Sequence, residues 1–83
     1  MEKKYYYVYI LLNSKDGTYV GITDNLERRV KEHNDGMSKY TKRSAGDWHL
    51  AWFCGFTDRQ KASKFEAYLK TGSGIAFFKK RFI

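Results

Sequence analysis

With a single cysteine, Cys54, in 83 residues, the chain can form no internal disulfide, and nothing in it asks for an oxidising compartment. No apolar run approaches the roughly 20 residues of a membrane-spanning helix. The opening Met-Glu-Lys-Lys has no apolar signal core behind it. The expectation is a soluble cytoplasmic protein with no membrane partner. Two histidines and one cysteine make no zinc spacing, which argues against a structural metal. Repeats, linkers and a second domain are missing too, so residues 1–83 read as one domain, long enough to bury roughly 60–65% of its unfolded surface. Acidic side chains are scarce in the second part. Residues 37–83 hold ten basic and three acidic residues, whereas residues 1–36 hold six of each, so the whole excess of +7 lies in the later part. A one-sided basic half points to a polyanion, nucleic acid first, with a solvated lysine surface as the alternative.

What is abundant is aromatic: 18% of residues are Phe, Trp or Tyr, which gives a small core much apolar area. Residues 5–12 read as a strand with no polar face, covered on both sides or central in a sheet. Residues 13–17 carry hairpin composition, and residues 19–23 are the return strand. Gly21 interrupts it as glycine does at a bulge or where something approaches the backbone closely. A helix is predicted over 24–34, opened by the spacing of Asp24 and Glu27 and stopped by Asp35-Gly36. Residues 37–46 read as a mobile basic loop. Residues 48–56 are a third strand, its apolar face made by Trp48, Leu50, Trp52, Cys54 and Phe56. A helix to about residue 70 opens at Thr57 and Gln60. Residues 71–74 break it, and a short helix over 75–82 turns Ile75, Phe78 and Phe82 inward.

Several residues could carry chemistry. Arg29 and His33, four apart, share one helix face. Arginine is a rigid, permanently charged fork for phosphate, and the competing use is an ion pair with Glu27 or Glu32. His33 could orient a phosphate or pass a proton, or be a packed residue. His49 is expected to be structural, and Arg28 to face solvent. Glu66 lies beside an apolar helix stripe, where a carboxylate needs a partner. It is either a hard-metal ligand or an ion pair with Lys61, Lys70 or an arginine. Tyr9 and Tyr19 would meet across paired strands. A tyrosine, with a reference pKa of about 10, needs a metal or cations to act as a base near neutral pH. Lys39, Tyr40, Lys42 and Arg43 suit gripping a nucleic-acid backbone while the ring stacks on a base, or form a solvated connector.

In combination, Tyr7-Val8-Tyr9, Tyr19-Val20-Gly21, Asn25-Leu26-Glu27-Arg28-Arg29 and the later Glu66 resemble the GIY-YIG nuclease family, particularly its small stand-alone members. The resemblance implies an α+β fold, a three-stranded antiparallel sheet flanked by helices in the order β-β-α-β-α-α. It also implies hydrolysis of DNA phosphodiesters with one divalent ion, Mg²⁺ or Mn²⁺. Tyr9 and Tyr19 fall on the motif tyrosines, Arg29 on the helix arginine, His33 on the histidine one turn later and Glu66 on the metal-binding glutamate. Two departures stand out. Tyr7 occupies the first glycine position, and no asparagine follows Glu66, so its supporting role is either filled by another residue, with Ser73 a candidate, or absent. The expected function is a DNA endonuclease acting on structured or damaged DNA, with RNA as a second possible substrate. The alternatives are a nucleic-acid-binding module without turnover, or a catalytic subunit that needs a protein partner for targeting.

Overall fold

The run Tyr6–Leu12 has no polar position because it becomes the middle of the sheet. In the computed structural model, which describes residues 4–82, this run is β1. It is followed by β2 (Thr18–Thr23), α1 (Leu26–Asn34), a short 3-10 turn (Lys42–Ser44), β3 (His49–Phe56), α2 (Arg59–Leu69) and α3 (Gly72–Phe82). The strands form one sheet in the order β2-β1-β3, and both pairings are antiparallel, as the family resemblance implied. The hairpin closes through Asn13, whose side-chain oxygen accepts from the backbone N–H of Lys15 and of Gly17 at 3.0 and 2.7 Å.

Each sheet face has its own core. Val8 and Ile10 point one way, onto Val20, Ala62, Leu69 and Phe78 beneath α2 and α3. Tyr9 and Leu11 point the other way, toward Trp48, with Leu26 and Val30 of α1 packed against them. The alternation of β3 does not run on one face as the sequence suggests. Ile10 pairs with Trp52 but Leu11 with Leu50, which leaves Ala51 as an extra residue in a bulge. That residue flips the register. Trp52, Cys54 and Phe56 join the α2–α3 core, while Trp48 and Leu50 join the α1 core.

Other boundaries also move. The cap of α1 is Asn25, not Asp24: the Asn25 side-chain oxygen accepts from Arg28 N–H at 3.0 Å. Asp24 instead pairs with Lys4 and Arg28. Asp58, not Thr57, caps α2 by accepting from Gln60 N–H at 2.8 Å. Helix α3 starts at Gly72, three residues early, with the Thr71 hydroxyl accepting from Gly74 N–H at 3.0 Å. Gly74 is needed there for close approach, since a Cβ would run into the Tyr68 carbonyl at the end of α2. Phe82 is not inward but 56% exposed, stacked on Phe78. No helix among the described residues is long and apolar enough to cross a membrane.

Candidate active site

Gly21 is where the site begins. It pairs with Tyr9 across β1 and β2, and without a side chain it lets the Tyr9 phenol lie over the β2 backbone. A Cβ at Gly21 would collide with the Tyr9 hydroxyl, standing 2.5 Å from Tyr9 Cζ and 2.9 Å from Tyr19 Cε2. The Tyr9 hydroxyl so placed hydrogen-bonds to His33 Nε2 at 2.8 Å, and His33 Nδ1 bonds to the Thr41 hydroxyl at 2.7 Å. His33 is 0% and Thr41 1% exposed, so this is a dry line of three polar groups spanning β1, α1 and the following loop. The Tyr19 ring packs on His33 at 4.7 Å between centroids and on Tyr9 at 6.2 Å.

One turn before His33, Arg29 holds Glu32 at 3.0 Å and faces the Tyr9 hydroxyl. That bond to Glu32, chiefly, keeps its guanidinium protonated beyond its usual range. Burial, then the neighbouring Tyr19, pushes the Tyr9 hydroxyl up to about 12, against the pull of Arg29. The Glu66 carboxylate adds to that rise, so its charge reaches Tyr9 even though α2 packs on the opposite face from α1. Burial, followed by the Arg29 charge, holds His33 below the ordinary imidazole range, with Glu32 working the other way. At neutral pH the pocket therefore holds a neutral phenol, a neutral imidazole and a fixed cation.

The model of the GIY-YIG catalytic domain matches residues 5–76, most of the chain. The protein belongs to the GIY-YIG family. This family is one of nucleases, so the domain is of a nuclease type. The chain is 43% identical over 65 residues to a UPF0213 protein of Clostridium perfringens, covering 77% of this chain and 69% of that one. It is 42% identical over 78 residues to a UPF0213 protein of Lactiplantibacillus plantarum, covering 92% and 77%. A UPF0213 protein of Vibrio campbellii is 32% identical, and the match spans 61% of its length. The solution structure of the UPF0213 protein BH0048 from Bacillus halodurans superposes with a TM-score of 0.58 at 28% identity, covering 94% of this chain and 86% of that one.

Within this GIY-YIG domain, Tyr9, Tyr19, Arg29 and His33 come together. Glu66 comes from α2, with the Lys70 ammonium 3.3 Å from its Oε2. At the edge of β2 a cavity of about 230 Å³ is lined by Thr18, Tyr19, Val20, Leu69, Lys70 and Ile75. Lys39, Tyr40, Lys42 and Arg43 are exposed, with the Lys39 ammonium 5.0 Å from the centre of the Tyr40 ring. The loop they sit on is tied down rather than free. Asn34 donates to the Trp48 carbonyl and accepts from Gly46 and Trp48 N–H, and Trp48 Nε1 donates to the Thr41 carbonyl at 2.9 Å. Ser73 is exposed at the start of α3, His49 is exposed, and Arg28 is surface-paired with Asp24 and Glu32.

Two participants escaped the sequence. Thr41 sits in a polar stretch without period, and nothing local marks it as the second partner of His33. Asn34 looked like a helix end, yet its carboxamide fixes the loop that carries Thr41. Among the described residues no three His, Cys, Asp or Glu side chains cluster as a metal site. A lone carboxylate still suits Mg²⁺, which takes one or two protein carboxylates and keeps water and phosphate oxygens for the rest. Glu66, partly buried and bonded only through one oxygen to an exposed lysine, has the chemistry for that.

Proposed function

We propose that this chain is a metal-dependent endonuclease hydrolysing phosphodiester bonds in DNA, on structured or damaged strands. The observation that carries the reading is the buried Tyr9–His33–Thr41 line facing Arg29. A phenol held near 12 is not a phenolate at neutral pH, so Tyr9 acts as a base only if its own proton can leave. With Nδ1–H donating to Thr41, His33 Nε2 accepts from the Tyr9 O–H. Tyr9 then takes a proton from the attacking water through its oxygen lone pair while passing its own to Nε2. The hydroxide oxygen bonds to phosphorus, the bond to the leaving oxygen breaks in line and solvent protonates that oxygen. His33 then returns its extra proton through Tyr9 to solvent, restoring the starting state. Arg29 neutralises the charge gathering on the phosphate. It also opposes the imidazolium until that negative charge arrives. Tyr19 orients the water. Glu66 would hold one Mg²⁺ or Mn²⁺ ion, whose chemistry is to neutralise phosphate oxygens and stabilise the leaving group.

The test is cleavage of structured DNA with Mg²⁺ or Mn²⁺ by the wild type, Glu66→Ala and Arg29→Ala. Each variant should lose about 10²–10³ in rate. Variants that cut like the wild type would remove this site from the reaction.

A second reading is a nucleic-acid-binding module without turnover, favoured by the Lys70 ammonium already on the Glu66 carboxylate. It requires salt-sensitive binding, weakening by orders of magnitude between about 50 and 200 mM, with no cleavage under either metal. A catalytic subunit targeted by a partner protein would instead cut only when that partner is added. Both readings use the exposed Lys39, Tyr40, Lys42 and Arg43 as backbone contacts.

A further inference from the structure

Helix α1 is short, and it leaves the β3 side of its sheet face open. There, Tyr5 and Phe53 are 42% and 49% exposed, and Tyr7 lies between them, 6.1 Å from the Tyr5 ring and 6.0 Å from the Phe53 ring. The Tyr5 and Tyr7 planes are only 31° apart, while Phe53 stands at 73° to Tyr7. Gly55, the register partner of Tyr7, makes this possible. A Cβ there would be 3.3 Å from Tyr5 Cδ1 and from Tyr7 Cε1, so both rings lie low over bare β3 backbone. The result is a tile of two mutually tilted phenols with a phenyl wall.

We propose that Tyr5, Tyr7 and Phe53 form a stacking platform for an unpaired base of a DNA strand, next to the phosphate held at Tyr9 and Arg29. The chemistry selects this occupant. Aromatic faces match base faces in a sequence-tolerant way, and none of the three residues, nor Gly55, carries a charge to repel a polyanion. Continuity selects it too. Tyr7 and Tyr9 are two residues apart on one strand, about 7 Å, and Phe53 pairs with Tyr9 directly. A strand with one phosphate at Arg29 can therefore lay an adjoining base on the tile. Bases inside a duplex are stacked on one another and offer no free face, so the platform favours single-stranded or flared DNA. The strand's path rests on the nuclease reading; the stacking itself does not.

The experiment is fluorescence anisotropy of the full chain with a short labelled oligo(dT) in EDTA, where no cleavage occurs. Phe53→Ala and Tyr5→Ala, both at exposed positions, should each weaken binding about tenfold, and Phe53→Trp should restore it. Neither alanine variant should change affinity for an abasic strand or a duplex of equal length, nor the salt slope, because no phosphate contact is lost. The proposal is overturned by wild-type affinity in both alanine variants, by an equal loss on the abasic strand, or by no oligo(dT) binding in the wild type. It is overturned equally if sedimentation shows that this face pairs two copies, with Phe53→Ala giving monomers that bind oligo(dT) unchanged. A chain that stacks but cuts with neither metal would refute the nuclease reading alone. One that cuts and ignores both alanine substitutions would refute the platform alone.

Discussion

Replacing Gly21 by alanine adds one methyl group at the point where β2 passes under the Tyr9 phenol. The Gly21 backbone has no positive φ, so alanine can adopt it. In an open strand the change would stabilise by about 0.5–1 kcal/mol, because glycine loses more backbone entropy on folding. Here the new Cβ meets the Tyr9 hydroxyl, and comes within 2.5 Å of Cζ and 2.9 Å of Tyr19 Cε2. Tyr9 is buried against Leu11 and Trp48 and cannot swing clear without repacking. Overpacking of this kind costs about 1–3 kcal/mol, and loss of the Tyr9–His33 bond about 1 kcal/mol more. The expected net destabilisation is about 2 kcal/mol. With a urea slope of about 1 kcal/mol/M for a small domain, the unfolding midpoint should fall by roughly 2 M.

The control is the same substitution in a Tyr9→Leu background, where the far end of the ring is gone. There Gly21→Ala should cost much less, with only the Tyr19 ring edge left to give way, a coupling of about 1–2 kcal/mol in the double-mutant cycle. Cleavage, measured well below the unfolding transition, should drop about 10²-fold in Gly21→Ala, as a displaced base does. Equal destabilisation in both backgrounds would show that Gly21 is not there to seat Tyr9. Full activity in a stable Gly21→Ala protein would sink the relay as well.

Thr41→Val keeps the shape but leaves His33 Nδ1 without its hydroxyl. It should cost about 1–2 kcal/mol in urea unfolding and shift the pH–rate profile; an unchanged profile would limit Thr41 to packing. Lys70→Ala removes an exposed partner of Glu66 and should alter stability by less than about 1 kcal/mol, while lowering the Mg²⁺ concentration needed for cleavage. An unchanged metal requirement would count against Glu66 as the ligand. Because burial holds the His33 pKa down in the fold, the unfolded chain binds the proton more readily. Stability should therefore rise with pH from the depressed folded value up to about 6.5 and be lost on acidification through that window. Denaturant midpoints of the wild type and His33→Gln across pH 5–7 check this, the variant losing most of the slope.

Local patterns made much of the fold legible. The run over residues 5–12 announced a strand covered on both sides or central in a sheet, and Asn13 to Gly17 announced the hairpin, in which Asp16 has a φ of 62°. The failures share a cause, which is that tertiary contact chose between locally equal options. Asp24 and Asn25 are both good caps, and the structure settles on Asn25 because Asp24 is held by Lys4 and Arg28 while the Thr23 hydroxyl accepts from Asn25 N–H. Thr71-Gly72-Ser73-Gly74 reads as a breaker, yet the glycine at 74 serves the contact of α3 on α2. The alternation of β3 is perfect in sequence, so no count of apolar positions could disclose the extra residue at Ala51. At the site, helical spacing put Arg29 and His33 together and strand pairing brought Tyr9 to Tyr19. Thr41 belongs to neither pattern. It reaches His33 only through the loop that Asn34 folds back.

The two cores differ in a way that packing alone does not require. The buried set under α2 and α3 is wholly apolar: Val8, Ile10, Val20, Ala62, Leu69 and Phe78. On the α1 face the chain instead buries a phenol, an imidazole and a hydroxyl, bonded to one another in sequence. Apolar residues of similar volume at positions 9, 33 and 41 would fill the same space without desolvating three polar groups, and such replacements are often neutral or better for stability. Once present, the polar line must stay fully satisfied, since one missing partner leaves the rest in a dry environment. It also lies beside Arg29, whose guanidinium acts on Tyr9. A domain of this size has little stability to spare, so three buried polar groups in one line are a cost that the proposed proton relay would account for.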